Sequence, residues 1–238
     1  MRRNIEDLLR SNPYPGRGIL IGCSQDGKRS IVIYFIMGRS ENSRNRIFIR
    51  TGDGIRTTAH DTSKMTDPSL IIYHPVRVHG AMTVVTNGDQ TDTIINHLGH
   101  GSSFHTALQT REFEPDAPNY TPRISGIVQP SGGYSLSILK TVEGDPKFRQ
   151  RCFYEYSSAT PGLGHFISTY QTDADPLPSF SGEPIPVGIT DSGGLEAFAI
   201  EIWNALNEDN KVSLFAMERD LTTDEVNDLI INKLGIRD

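Results

Sequence analysis

The chain has 238 residues, is 36% hydrophobic and 22% charged, and carries a formal net charge of −6. That acidic balance excludes a general nucleic-acid or anionic-membrane binder, so an anion site has to be a local cluster of arginines. Cys23 and Cys152 are too few for a disulfide framework or a cysteine-rich zinc site and fit a reducing compartment.

The size suits one layered domain over 1–238. The polar start, with Arg2, Arg3, Glu6 and Asp7, has no apolar signal core. No run approaches the roughly 20 apolar residues of a membrane span, so a cytoplasmic protein is expected. Residues 4–10 read as a short helix stopped at Asn12-Pro13. A turn over 14–18 leads into the apolar strand 19–23, and Asp26-Gly27 signals a hairpin returning through 31–37. A polar loop over 38–46 carries Arg39, Arg44 and Arg46; a short strand follows at 47–49, then a surface loop over 51–68. Period-2 alternation through 70–75 predicts a strand reaching a turn at His79-Gly80, with its partner at 82–85. Asn87-Gly88 is expected to take left-handed dihedrals, and Asp89 to cap a helix that ends near Leu98 and Gly99. Ser102-Ser103 caps a second helix running to about Glu112, and 113–122 is irregular. Strands are predicted at 123–129, 134–140, 150–156 and 166–171, then a proline-bearing loop over 172–186, a helix over 195–206 and a strand over 212–217. Thr222 and Glu225 spell a capping box for a last helix that would bury Val226, Leu229, Ile230 and Leu234. Many antiparallel-looking strands with few helices define an α+β chain, its helices outside one or two sheets.

Several polar residues stand where chemistry is possible. Arg17, between two glycines ahead of a buried strand, can aim its planar fork at phosphate while the glycine backbone admits a ligand; the plain alternative is a solvated turn arginine. Arg46 belongs to the loop pair Arg44-Asn45-Arg46, which also reads as solvated charge. Tyr73 and Arg77, two apart on the predicted strand, would share a face, and the cation would lower the phenol's pKa enough for proton transfer. A strand tyrosine beside a rim arginine is the bland reading. Asn87-Gly88 can offer backbone N–H groups to an anion, although Asp89 already stands at that helix start. Arg123, entering a strand behind Pro122, can reach into a site from the strand end, with Glu114 and Asp116 just ahead. Cys23, closing an apolar strand, reads as a buried structural thiol. The histidines lack metal-site spacing, Asp89 and Asp92 are weak evidence for a metal on an acidic chain, and no P-loop, dinucleotide fingerprint or nucleophile elbow occurs.

Five pieces resemble, in the same order, the archaeal-type IMP cyclohydrolase family. They are Gly16-Arg17; Asn45-Arg46; Ile72-Tyr73 with Arg77; Val84-Val85-Thr86-Asn87-Gly88 followed by Thr91-Asp92-Thr93-Ile94; and Thr121-Pro122-Arg123-Ile124. They span residues 14–128, and residues 1–13 stand ahead as an extension. The resemblance implies a four-layer αββα fold like that of N-terminal-nucleophile hydrolases, without self-processing. It implies closure of 5-formamidoimidazole-4-carboxamide ribotide to IMP with loss of water, the last step of purine synthesis, using no metal or organic cofactor. Tyr73 would relay a proton, and Arg46 would stabilise the reacting oxygen or hold the carboxamide. Arg17, Arg77 and Arg123 would hold phosphate, and Asn87 and Gly88 ribose or base. The family's carboxylate ahead of Thr-Pro-Arg has no direct match, because Asn119-Tyr120 precede Thr121. Asp116, Glu114 or neither would then supply it. The partner is a purine nucleotide, with no nucleic acid and no membrane; a homo-oligomer is left open. Two other readings stay open: an amide hydrolase on the same fold, with Cys23 the nearest candidate nucleophile, and a non-catalytic purine-nucleotide-binding protein.

Overall fold

A computed structural model describes residues 2–65, 68 and 71–235. Its architecture follows from two apolar strands with no polar face, β1 (Arg17–Cys23) and β2 (Arg29–Met37). A strand apolar on both sides needs a core on each. Along β2, Ile31, Ile33, Phe35 and Met37 enter one core, while Val32, Tyr34 and Ile36 enter another. The first core is closed by helices α1 (Ile5–Ser11) and α5 (Gly194–Ala205), through Ile5, Leu9, Phe198 and Ile202. The second lies between two sheets.

Among the described residues, thirteen strands form these sheets, and every strand pair is antiparallel. The first sheet runs β11 (Ile185–Gly188), β10 (Leu163–Ser168), β1, β2, β12 (Lys211–Asp220), β13 (Val226–Asn232). The second runs β3 (Arg46–Thr51), β4 (Gly54–Ala59), β5 (Val76–His79), β6 (Met82–Thr86), β7 (Arg123–Val128), β8 (Tyr134–Val142), β9 (Asp145–Tyr156). Helix α2 (Glu41–Arg44) bridges β2 and β3. Helices α3 (Gln90–Gly99) and α4 (Phe104–Gln109) cover the outer face of the second sheet over Val84, Ile127 and Leu139. The chain is thus α+β, with helices outside two antiparallel sheets. No helix among the described residues is long and apolar enough to cross a membrane.

Four expectations change. The last helix is strand β13: residues 226–232 carry apolar side chains on both parities, so Leu229 and Ile231 reach the helix-side core and Ile230 the inter-sheet core. Asp220 takes the backbone N–H of Thr222 and of Thr223, both at 2.8 Å, making a hairpin turn where a capping box was expected. The 51–68 loop contains β4, whose alternation of Ile55, Thr57 and Ala59 inward is polar enough to pass for loop. The alternating run 70–75 is not strand. Leu70 lies outside the described residues, the N–H groups of Ile71 and Ile72 both turn back to the Pro68 carbonyl, and the ladder begins at Val76. Finally, neither Asn87 nor Gly88 has positive φ. A Cβ on Gly88 would lie 2.5 Å from Arg123 Nη1, so a larger residue there would displace that guanidinium.

Candidate functional site

One end of the sandwich gathers polar side chains between the sheets. There β1 and β3 begin and β2 and β10 end, so Arg17, Tyr34 and Arg46 point toward the same interior that Ile19, Ile36 and Phe48 help fill. Gly16 permits the entry to β1, with φ +77 and a Cβ position only 2.3 Å from Thr169 Oγ1. A Cβ added to Gly18 would lie 2.3 Å from the Phe35 ring, so both glycines serve packing and not ligand approach. Arg17 is fastened to the end of β10: its N–H donates to Thr169 Oγ1 at 3.1 Å and its carbonyl accepts from Thr169 N–H at 2.9 Å.

Arg46 is fully buried. Its Nε donates to the Ser43 carbonyl at 2.8 Å and Nη2 to the Met37 carbonyl at 3.3 Å. Tyr73 is fixed by Thr57, whose Oγ1 accepts its N–H at 2.9 Å and whose N–H donates to its carbonyl at 2.9 Å. The Tyr73 hydroxyl stands 2.8 Å from that of Tyr34. Tyr73 therefore shares its surroundings with Arg17 and Arg46. Arg77, expected on its face, is instead on the outside, bound to Asp53 at 2.6 Å and to Asp92 at 2.9 Å. With no strand through Tyr73, the two-residue spacing carries no face relation.

The acid is Glu114. It is buried, its backbone N–H donates to the Thr121 carbonyl at 2.9 Å, and burial pushes its carboxyl up to about 7 against the pull of Arg17, Arg123 and Arg46. Asp116, the expected catalytic carboxylate, is bound to Thr121 through both the backbone N–H (2.6 Å) and the hydroxyl. It lines the cavity but is committed to holding the loop. Thr121 Oγ1 is also 2.6 Å from the Tyr170 hydroxyl, and Tyr170 stacks on Tyr14 at 5.9 Å, with Arg39 over the Tyr14 ring at 5.0 Å. Burial raises Tyr170 to about 12, against the opposing pull of Arg17. Against its own desolvation, Arg17 is held well above the ordinary guanidinium range by Glu114 and the phenols of Tyr170, Tyr73 and Tyr14. Arg46 goes the other way, lowered by burial and by Arg17.

Asn87 is a strut. Its side chain accepts from Ile124 N–H at 2.8 Å and from Gln90 at 3.0 Å, and donates to the Pro122 carbonyl at 2.9 Å. Asp89 makes no cap bond; it pairs with Arg111 at 2.6 Å and Arg123 at 2.7 Å. Arg123 also donates to Gln90 Oε1 at 2.7 Å. Cys23 sits buried at the far end of β1, its thiol raised by desolvation and by Asp26, which suits a packing residue and not a nucleophile.

Arg17, Tyr14, Arg39, Asp116, Thr121 and Tyr170 line a cavity of about 250 Å³, and a second of about 600 Å³ adjoins it through Asn119 and Leu177. Arg17 Nε, Arg46 Nη1 and Arg123 Nε are buried without a hydrogen-bond partner among the described residues. A buried guanidinium donor left unmatched costs on the order of 1–3 kcal/mol, so the cluster is built to receive an acceptor-rich, anionic molecule. Tyr34 and Tyr170 were not found from sequence. A hydroxyl inside the otherwise aliphatic run Ile-Val-Ile-Tyr-Phe-Ile-Met was the available signal for Tyr34, because a buried phenol needs a partner.

Set beside known proteins, residues 14–225 match the family described as IMP cyclohydrolase-like protein, and the chain belongs to that family. The IMP cyclohydrolase of Methanopyrus kandleri is 30% identical over 182 residues, covering 70% of this chain and 89% of that one. The IMP cyclohydrolases of Methanosphaera stadtmanae and Methanococcus aeolicus are 30% and 25% identical over 162 residues, 66% of this chain and 74% of each relative.

Proposed function

We propose that this protein is an enzyme, an IMP cyclohydrolase, closing 5-formamidoimidazole-4-carboxamide ribotide to IMP with release of water in purine biosynthesis. The observation that carries the reading is the grouping of Arg17, Arg46, Tyr73 and Glu114 at one end of the sandwich, in a chain of this family. The reaction joins two groups of one molecule, so much of the barrier falls to holding them at attack distance. As the carboxamide nitrogen bonds to the formyl carbon, it releases a proton to Glu114 and the formyl oxygen takes one from Tyr73. In the second half Glu114 returns its proton to the new hydroxyl, which leaves as water. The former formamide nitrogen gives its proton to Tyr73 as the C=N bond forms, and both groups end as they began. A carboxyl near 7 is suited to move a proton both ways at neutral pH. Arg46 and Arg17 face the developing oxyanion and the phenolate, where fixed cations do most.

Three unmatched guanidinium donors support binding of the phosphorylated nucleotide, and the adjoining 600 Å³ cavity gives its ribotide end room. The helix–sheet–sheet–helix layering supports kinship with the N-terminal-nucleophile hydrolase fold, without a processed nucleophile. Strands from both halves of the chain in one sheet support a single domain over 1–238. The reaction belongs in the cytoplasm with the rest of such a pathway. Mixing the protein with the formamido ribotide and following hypoxanthine absorbance tests the proposal. Turnover by wild type that drops at least 100-fold in Tyr73→Phe, with binding of IMP kept, is the expected result. Absence of turnover by wild type, with IMP still bound, would leave a nucleotide-binding protein instead.

A further inference from the structure

Tyr34 is a buried phenol that this mechanism leaves unused. It lies on β2 between the sheets, fully buried, stacked on Phe48 at 5.8 Å, and flanked in the ladder by Ile19 of β1 and Phe215 of β12. Every one of those contacts would be met as well by phenylalanine. The hydroxyl alone needs explaining, because a phenol buried without a bond costs several kcal/mol. Among the described residues its hydrogen bond goes to one atom, the Tyr73 hydroxyl, at 2.8 Å.

We infer that Tyr34 is a positioning residue for the ring closure, donating its hydroxyl proton to the Tyr73 oxygen so that the Tyr73 proton is left free for the substrate. The inference rests on the reading of Tyr73 as proton carrier. Two hydroxyls in contact share one hydrogen bond, so exactly one of the two protons is free to leave the pair. If Tyr73 donated to Tyr34, the free proton would lie in the closed inter-sheet core and nothing could take it. With Tyr34 as donor, the free proton belongs to Tyr73, the member of the pair that keeps some exposure, 5% against 0% for Tyr34. The same bond then strengthens as Tyr73 gives up its proton, because a hydrogen bond to a phenolate is charge-assisted and about twice as strong as a neutral one. Tyr34 thus stabilises the intermediate phenolate more than the resting phenol, which raises kcat without improving substrate binding. Burial keeps Tyr34 itself protonated throughout, well above the ordinary phenol range.

The test is steady-state kinetics of Tyr34→Phe, Tyr73→Phe and the double variant on the formamido ribotide, with thermal melting as the check on folding. Wild-type turnover is the control: if wild type is inactive, the functional reading fails and not this one. Expected is a roughly 10- to 100-fold fall in kcat for Tyr34→Phe with KM within about twofold, and no further fall when Tyr34→Phe is added to Tyr73→Phe. Unchanged kcat in Tyr34→Phe, or an equal loss in both backgrounds, would overturn the inference, the second outcome marking a purely structural hydroxyl. Should Tyr34→Phe not fold, 3-fluorotyrosine at position 34 keeps the shape and alters donor strength. A several-fold change in kcat at constant KM supports the relay, and an unchanged kcat overturns it.

Discussion

Replacing Glu114 by glutamine removes the one ionisation at the site whose energetics can be worked from its surroundings. The carboxyl rises from an ordinary 4.5 to about 7 on burial. At 1.36 kcal/mol per pH unit, that rise corresponds to about 3 kcal/mol. The folded chain holds this proton more tightly than the unfolded one. Its contribution to stability is therefore whole below pH 4.5 and is lost as pH climbs through 7. Glutamine keeps the shape and cannot ionise, so Glu114→Gln should gain on wild type by about 3 kcal/mol between about pH 4.5 and 8.5. Urea unfolding of both proteins, followed by circular dichroism at pH steps across that range, measures the difference directly. A difference that is flat with pH, or that moves the other way, would refute the assignment of a raised pKa to Glu114. In activity the same group should give kcat/KM an acid limb centred near 7 that disappears in the variant, along with a roughly 100-fold or greater fall.

Arg77→Gln should leave kcat/KM within about threefold and cost at most about 1 kcal/mol in unfolding, because both of its partners are on the surface. A large rise in KM would restore Arg77 to the phosphate site. Asn87→Ala should lower stability by about 2–4 kcal/mol, read as a drop in Tm, since Ile124 N–H and the Pro122 carbonyl lose their partner and Gln90 loses one of its acceptors. Cys23→Ala should keep turnover near wild type; loss of activity in a folded variant would revive the thiol-nucleophile reading.

The fold was legible where local pattern and tertiary demand agree. The apolar runs of β1 and β2, the helix over 194–205, and the Asp26-Gly27 hairpin stand close to where the sequence put them. It was illegible at β4 and β13. Threonines on β4 face a polar network, and an apolar 226–232 segment fits a helix as well as a strand until an open sheet edge is available. The site divides in the same way. Arg17, Arg46, Tyr73 and Arg123 stand in local motifs and do reach it. Tyr34 and Tyr170 are brought in only by pairing between β1, β2 and β10, which no local spacing encodes. Asp116 and Glu114 were two residues apart in an irregular loop, and only the turn fixed by Thr121 leaves Asp116 bonded to Thr121 and Glu114 buried beside Arg17.

The ladder that sets Gly18 opposite Ser168 joins positions 150 residues apart. Tyr14 and Arg17 wait on Thr169 and Tyr170; Tyr34 waits on Tyr73, and Arg123 on Gln90. No contiguous fragment owns the pocket. A nascent or clipped chain that has built the second sheet alone presents Arg46, Tyr73 and Glu114 to water without Arg17. Assembly of the pocket consequently requires strands from both halves of the chain to have met.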